Sequence, residues 1–199
     1  MLQDEINIHK SLNKSAESNG IVIFGGGEDK DIPIGELRQA FAIESKLYNR
    51  SITGLSAENA VELFDECVAP LAPDTILLHV GVADLGVFRQ LPSAFDNAYR
   101  TLISHIKAFN KNCRIAIVSL KNYNDDAVIE ELNKHLKYIA DSEQCEFGDI
   151  AKKKVWNPQQ TKELSSFLYS MGFARPLNSR HPLYDLIKIV FCFDADSEK

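Results

Sequence analysis

The chain has no apolar run approaching the ~20 residues of a membrane-spanning helix. Its first residues, MLQDEINIHKSLNK, lack the continuous apolar segment of a secretion signal. These absences point to a cytoplasmic protein with no membrane partner. No Gly/Ser-rich or Pro-rich stretch interrupts the sequence, so no linker is on hand to join two independent domains. Basic runs are equally scarce: none is longer than Lys152–Lys154, and the formal charge of -6 opposes a nucleic-acid partner. There is no CxxC pair; Cys67, Cys113, Cys145 and Cys192 lie far apart with no histidine at ligand spacing. They read as small core residues in a reducing compartment, leaving neither a disulfide framework nor a cysteine metal site. Internal repeats and low-complexity segments are also missing.

What is present is an alternation of strand and helix patterns. Residues 1–19 read as a helical lead-in with Leu2, Ile6, Ile8 and Leu12 at loosely amphipathic spacing, and residues 20–199 as a single domain. Ile21–Phe24 is an apolar run that stops at Gly25, Gly26 and Gly27, which predicts a buried strand followed by a sharp turn. Pro33 marks a helix start, with Ile34, Leu37 and Phe41 on one face and an end near Lys46. Leu47–Ile52 reads as a second strand. Ser56 caps a following helix carrying Ala60, Val61, Phe64, Cys67, Val68 and Leu71. Thr75–Val82 is the strongest strand pattern. Ser93 caps a long helix lined by Phe95, Ala98, Leu102, Ile106 and Phe109. Arg114–Leu120, a helix over Asp125–Glu143, a strand over Cys145–Ile150, and helices over Pro158–Met171 and Leu183–Phe193 complete the chain. Strands alternating with helices imply right-handed parallel βαβ units, and hence a three-layer α/β/α, flavodoxin-like domain with about five strands. In such a sheet ligands sit beyond the carboxyl ends of the strands.

Four strand-end or loop segments, taken in order, resemble the blocks of the SGNH (GDSL-type) hydrolases, a family of esterases and acylhydrolases with a flavodoxin-like sheet. The apolar strand followed by Gly25-Gly26-Gly27 matches the first block, Gly-Asp-Ser in the family. Asn49-Arg50-Ser51-Ile52-Thr53-Gly54 matches the second, with Gly54 in the oxyanion-hole position. Gly81-Val82-Ala83-Asp84 matches the Gly-x-Asn-Asp block, and Asn178-Ser179-Arg180-His181-Pro182 the Asp-x-x-His-Pro block. The resemblance implies a site built from Gly25, Gly26, Gly27, Gly54, Gly81, Ala83, Asp84 and Asn178, with His181 as the catalytic remnant. It also shows where the chemistry departs. Gly27 stands in the place of the nucleophilic serine, Ala83 in that of the oxyanion-hole asparagine, and Asn178 in that of the aspartate that orients the histidine. A glycine offers no Oγ for an acyl-enzyme, and loss of an oxyanion donor alone costs on the order of 10²–10³ in rate.

The resulting expectation is a hydrolase-like protein without ordinary serine-esterase activity, holding a small ester-like or carbohydrate ligand or a protein partner, with no cofactor and no metal. Two alternatives stand beside it. One is an active acylhydrolase with a displaced nucleophile or a water activated by His181; Ser51, Ser56 and Ser179 are the serines near strand or loop ends. The other is nucleotide binding at the glycine turn, which Glu28, Asp29 and Asp31 oppose by placing negative charge where a phosphate would sit. Arg50 and Arg180 are candidates for the cleft mouth, and Trp156 for packing or ligand stacking. His79, inside the central strand, reads as a hydrogen-bonded core histidine, and Asp84 as a brace for the turn after that strand.

Overall fold

Val22, Ile23 and Phe24 are fully buried in consecutive positions, which requires cover on both faces of their strand. The computed structural model describes residues 2–40, 43, 45–122, 126–151, 187 and 190. In it β1 (Ile21–Gly25) pairs in parallel with β2 (Leu47–Asn49) on one side and β3 (Thr75–His79) on the other. β4 (Arg114–Val118) and β5 (Glu146–Gly148) extend the parallel sheet to five strands in the order β2-β1-β3-β4-β5. The direction of winding reverses between β1 and β3, and a doubly wound sheet opens its ligand crevice at that point.

The two-residue period of the strands divides the core between the faces. Val22, Phe24, Ile76, Leu78, Ile115 and Ile117 face one side, against α3 (Ala60–Leu63), α5 (Pro92–Phe109) and α6 (Ala127–Ser142). Ile23, Leu77, Ala116 and Val118 face the other, against Leu37 of α2 (Ile34–Ala40) and against Ile187 and Val190. α5 buries Phe95, Tyr99, Leu102, Ile103 and Ile106 along a single stripe. At about 1.5–3 kcal/mol for each large apolar side chain removed from water, that stripe is a principal fastening of the sheet. The lead-in forms α1 (Leu2–Asn13), packed through Ile6.

Several boundaries differ from the expected ones, each for a local reason. The Pro33 helix is described over Ile34–Ala40 and is over by Ile43, short of Lys46; the Ile43 N–H reaches back five residues to the Arg38 carbonyl at 3.0 Å, while Phe41 lies outside the described residues. β2 is shorter than Leu47–Ile52, yet the ladder persists, because Arg50 N–H and Ile52 N–H donate to the Ile23 and Gly25 carbonyls at 2.8 and 2.9 Å. Ser56 and Asn59 cap each other reciprocally: Ser56 N–H donates to Asn59 Oδ1 at 2.9 Å and Asn59 N–H to Ser56 Oγ at 3.4 Å. The regular turns of α3 begin only at Ala60, and the segment runs on as a π turn over Phe64–Val68 and a 3-10 turn over Ala69–Leu71. Ser93 is not a cap. An additional helix, α4 (Leu85–Gln90), precedes α5, which starts at Pro92 with Ser93 inside its first turn. Pro92 holds Leu91 out of the helical region and so separates the two helices. Asp126 caps α6 by accepting from Val128 N–H at 2.8 Å. The expected helix over Pro158–Met171 lies outside the described residues. Within Leu183–Phe193, Ile187 and Val190 are helical and buried. Among the described residues no helix is long and apolar enough to cross a membrane.

Candidate functional site

A cleft of about 150 Å³ opens at the carboxyl ends of β1, β2 and β3, where the winding reverses. Three chain segments build it. The first is the turn after β1, where Gly26 is extended and Gly27, Glu28 and Asp29 form a single 3-10 turn. The second is the loop after β2, whose Gly54 adopts φ +77°, a left-handed conformation open to glycine at little cost. The third is the turn after β3, where Gly81 at φ +143° redirects the chain into a 3-10 turn over Val82–Asp84. A Cβ on Gly81 would also meet Leu120 Cδ1 and Leu132 Cδ2 at 3.3 Å, so both conformation and space select glycine.

The expected site residues separate into three groups. Gly26, Gly27, Gly54, Gly81 and Ala83 all line the cleft, together with Leu55 and Val82. Gly25 and Asp84 do not line it. Gly25 lies within β1, its carbonyl accepts from Ile52 N–H, and an added Cβ would collide with Asp29 Oδ2. Asp84 is 4% exposed and faces the β2 loop, where both carboxylate oxygens accept from Ala57 N–H at 3.1 Å. Burial raises the Asp84 pKa, as does Glu58, against the lowering effect of the Ala57 hydrogen bond. Asn178 and His181, with Ser179, Arg180 and Trp156, lie outside the described residues. Arg50 does not reach the cleft mouth. It is buried beneath α1, where its Nε donates to Asn13 Oδ1 at 2.9 Å and its NH1 to the Asn49 carbonyl at 2.8 Å.

Three side chains complete the cleft on its other side. His79, at the end of β3, and Glu28 both line it, and Asp29 lies immediately behind. His79 Nδ1 is 2.8 Å from Asp29 Oδ2 and 3.7 Å from Glu28 Oε1. Asp29 and His79 are each 1% exposed, while the Glu28 side chain is 44% exposed. Burial alone lowers an imidazole pKa. Here the Asp29 carboxylate, its hydrogen bond and the Glu28 charge outweigh both burial and Lys121, and raise it. The main chain of Asp29 is fixed as well: its N–H donates to the Gly26 carbonyl at 3.1 Å, and its carbonyl accepts from Asn49 Nδ2 at 2.6 Å.

The reading of His79 as a hydrogen-bonded core histidine describes its burial and not its place at the cleft. Glu28 and Asp29 had entered only as charges unfavourable to phosphate. Their partnership with His79 spans 50 residues of sequence, and the available signal is positional: all three sit at or just past the ends of two strands that pair.

α1 fastens the rim. Glu5 Oε2 accepts from Thr53 N–H at 2.8 Å, and Oε1 accepts from Thr53 Oγ1 at 2.9 Å and Lys30 Nζ at 2.7 Å. One carboxylate thus ties the turn after β1 to the loop carrying Gly54. Partial burial raises the Glu5 pKa, but the Lys30 and Thr53 hydrogen bonds and the Lys30 charge prevail and lower it.

Chemically, the described lining contains acceptor carboxylate, backbone and small apolar surface, and no hydroxyl or thiol. The imidazole–carboxylate pair has the composition of the base-and-orienter half of a nucleophilic triad. Its ring, however, has no solvent-exposed surface.

No family model matches the chain, and no curated protein matches it. Solved structures do. A Streptococcus pneumonia protein described as a platelet activating factor aligns over 86% of this chain and 91% of its own, with TM-score 0.64 and 19% identity. A GDSL-like lipase from Bacteroides thetaiotaomicron aligns over 72% and 77%, with TM-score 0.54 and 15% identity. An acetylxylan esterase from Geobacillus stearothermophilus aligns over 67% and 77%, with TM-score 0.52 and 18% identity. At such identities the likeness is one of fold: the chain has the three-layer α/β/α architecture of the SGNH/GDSL hydrolases.

Proposed function

We propose that the protein is a non-catalytic binding member of this esterase-like fold, holding a small ester-like or carbohydrate ligand in the cleft at the ends of β1, β2 and β3. The observation that carries the reading is Gly27. It lines the cleft where the resemblance to the SGNH blocks calls for the nucleophilic serine, and no other described lining residue supplies a hydroxyl or thiol in its stead. An acyl-enzyme has no atom on which to form there. Ala83, also in the lining, provides no side-chain donor for an oxyanion.

The surface that remains suits a hydroxylated ligand. The half-exposed Glu28 carboxylate accepts hydrogen bonds from sugar hydroxyls, and the glycine wall lets a ligand approach the backbone closely. The acetylxylan esterase among the structural neighbours makes an acetylated oligosaccharide the first ligand to try. The same carboxylates disfavour a nucleotide, whose phosphates would meet Glu28 and Asp29 beside the turn.

The test is hydrolysis of p-nitrophenyl acetate by wild type, His181→Ala, and the triple variant Gly27→Ser, Ala83→Asn, Asn178→Asp, alongside calorimetric titration with acetylated xylo-oligosaccharide. Wild type is expected to bind without turnover, and the triple variant to hydrolyse the ester. Turnover by wild type that His181→Ala abolishes would establish the active-hydrolase alternative in its place.

A further inference from the structure

The charged side of the cleft contains a donor set of which the ligand reading uses only Glu28. One oxygen each of Glu28 and Asp29 and one ring nitrogen of His79 all lie within 4.8 Å of one another. We propose that Glu28, Asp29 and His79 form a divalent-cation site, suited to a transition ion such as Zn²⁺ or Mn²⁺, at the edge of the cleft. The proposal shares Glu28 with the ligand reading but does not rest on it.

The geometry is close to what an ion needs. Metal–ligand bonds of about 2.0–2.2 Å place neighbouring ligand atoms about 3.0–3.5 Å apart. The observed 2.8 Å between His79 and Asp29 and 3.7 Å between His79 and Glu28 bracket that range, and the third pair, Glu28 and Asp29, lies within 4.8 Å. The remaining adjustment falls on Glu28, whose side chain is half-exposed. The other two ligands are preorganised: Asp29 is held by Gly26 and Asn49, and His79 sits on the central strand of the sheet.

Donor chemistry narrows the ion. A mixed imidazole and carboxylate set suits Zn²⁺ or Mn²⁺ better than Mg²⁺ or Ca²⁺, which prefer oxygen throughout. Two carboxylates balance the charge of a dication, with Lys121 a further positive charge acting on His79. With three protein ligands and a cleft beside them, coordination positions remain for water or for a ligand oxygen. Gly26 and Gly27, on the cleft side, leave that approach clear of side chains.

Calorimetric titration of the full chain with Zn²⁺, Mn²⁺ and Mg²⁺, together with Mn²⁺-induced broadening of backbone amide resonances, decides the question. One ion per chain is expected, with micromolar affinity for Zn²⁺ or Mn²⁺, weaker binding of Mg²⁺, and broadening centred on Gly26, Glu28 and His79. Glu28→Gln, at a half-exposed position, is expected to keep the fold and to weaken binding about tenfold or more. Asp29→Asn serves as a second variant, accepted only where circular dichroism shows the native spectrum. No binding at millimolar ion, unchanged affinity in Glu28→Gln, Mg²⁺ binding as tightly as Zn²⁺, or broadening centred elsewhere overturns the proposal.

Discussion

The two walls of the cleft are built on opposite principles. One is made of glycines, Gly26, Gly27, Gly54 and Gly81, which shape space and leave chemistry to the backbone. The other concentrates an imidazole and two carboxylates, Glu28, Asp29 and His79, within 4.8 Å of one another. The glycine wall coincides with the blocks by which the chain resembles an esterase; the charged wall lies between those blocks. A strand-end site can therefore keep its frame while its reactive groups are placed a few residues further along.

Substitutions at four positions sharpen the contrast. Asp29→Ala should have the largest effect, about 3 kcal/mol in urea unfolding. It removes the 2.8 Å hydrogen-bond partner of the buried His79 ring and leaves a cavity beside it. Gly25→Ala, just behind the same wall, forces a Cβ into the Asp29 carboxylate and should cost about 2–3 kcal/mol, whereas Gly26→Ala, with open space at its Cβ, should stay within about 0.5 kcal/mol. Equal costs at the two glycines would show that the Asp29 packing is not what fixes Gly25. Asp84→Ala tests the fastening of the glycine wall. It strands the Ala57 N–H and should cost about 1–2 kcal/mol, an effect that Asp84→Asn, which keeps an acceptor, should largely avoid.

The smallest expected effect is at Glu5. Its pKa is lower in the folded protein than its ordinary value of 4.5, so its contribution to stability is present above that value and is lost as pH falls through the folded one. Acid titration of unfolding should show a shallower loss of stability below about pH 4.5 in Glu5→Gln than in wild type, with a difference at neutral pH of at most about 1 kcal/mol. Parallel acid profiles for the two proteins would disprove the clasp.

The frame was legible because it rests on local signals. Apolar runs ending in glycine locate β1 and the turn after β3, and helical spacing locates α5 and α6. The glycines that line the cleft lie beyond these strand ends, in the segments that carry the resemblance. What was not legible depends on pairing across the sheet. Asp29 and His79 become neighbours only because β1 and β3 align Gly25 with His79, and nothing in either local sequence marks that register. Arg50 illustrates the reverse error. An arginine at a strand end suggests a ligand contact, but α1 covers it, and that contact is encoded 37 residues away at Asn13. The division of α4 from α5 was available locally, in the restriction that Pro92 imposes on Leu91.

The bond from Thr53 N–H to Glu5 also makes that amide a reporter. It is protected only while the first helix is docked, and it adjoins Gly54 on the cleft rim. Because the helix and the rim share this contact, anything that firms the rim must in turn hold the helix, by the reciprocity of linked equilibria. Hydrogen exchange at that one backbone position therefore reports docking of the N-terminal helix against the cleft rim. For the same reason, a change that undocks α1 would release the cleft rim at Thr53 and Lys30.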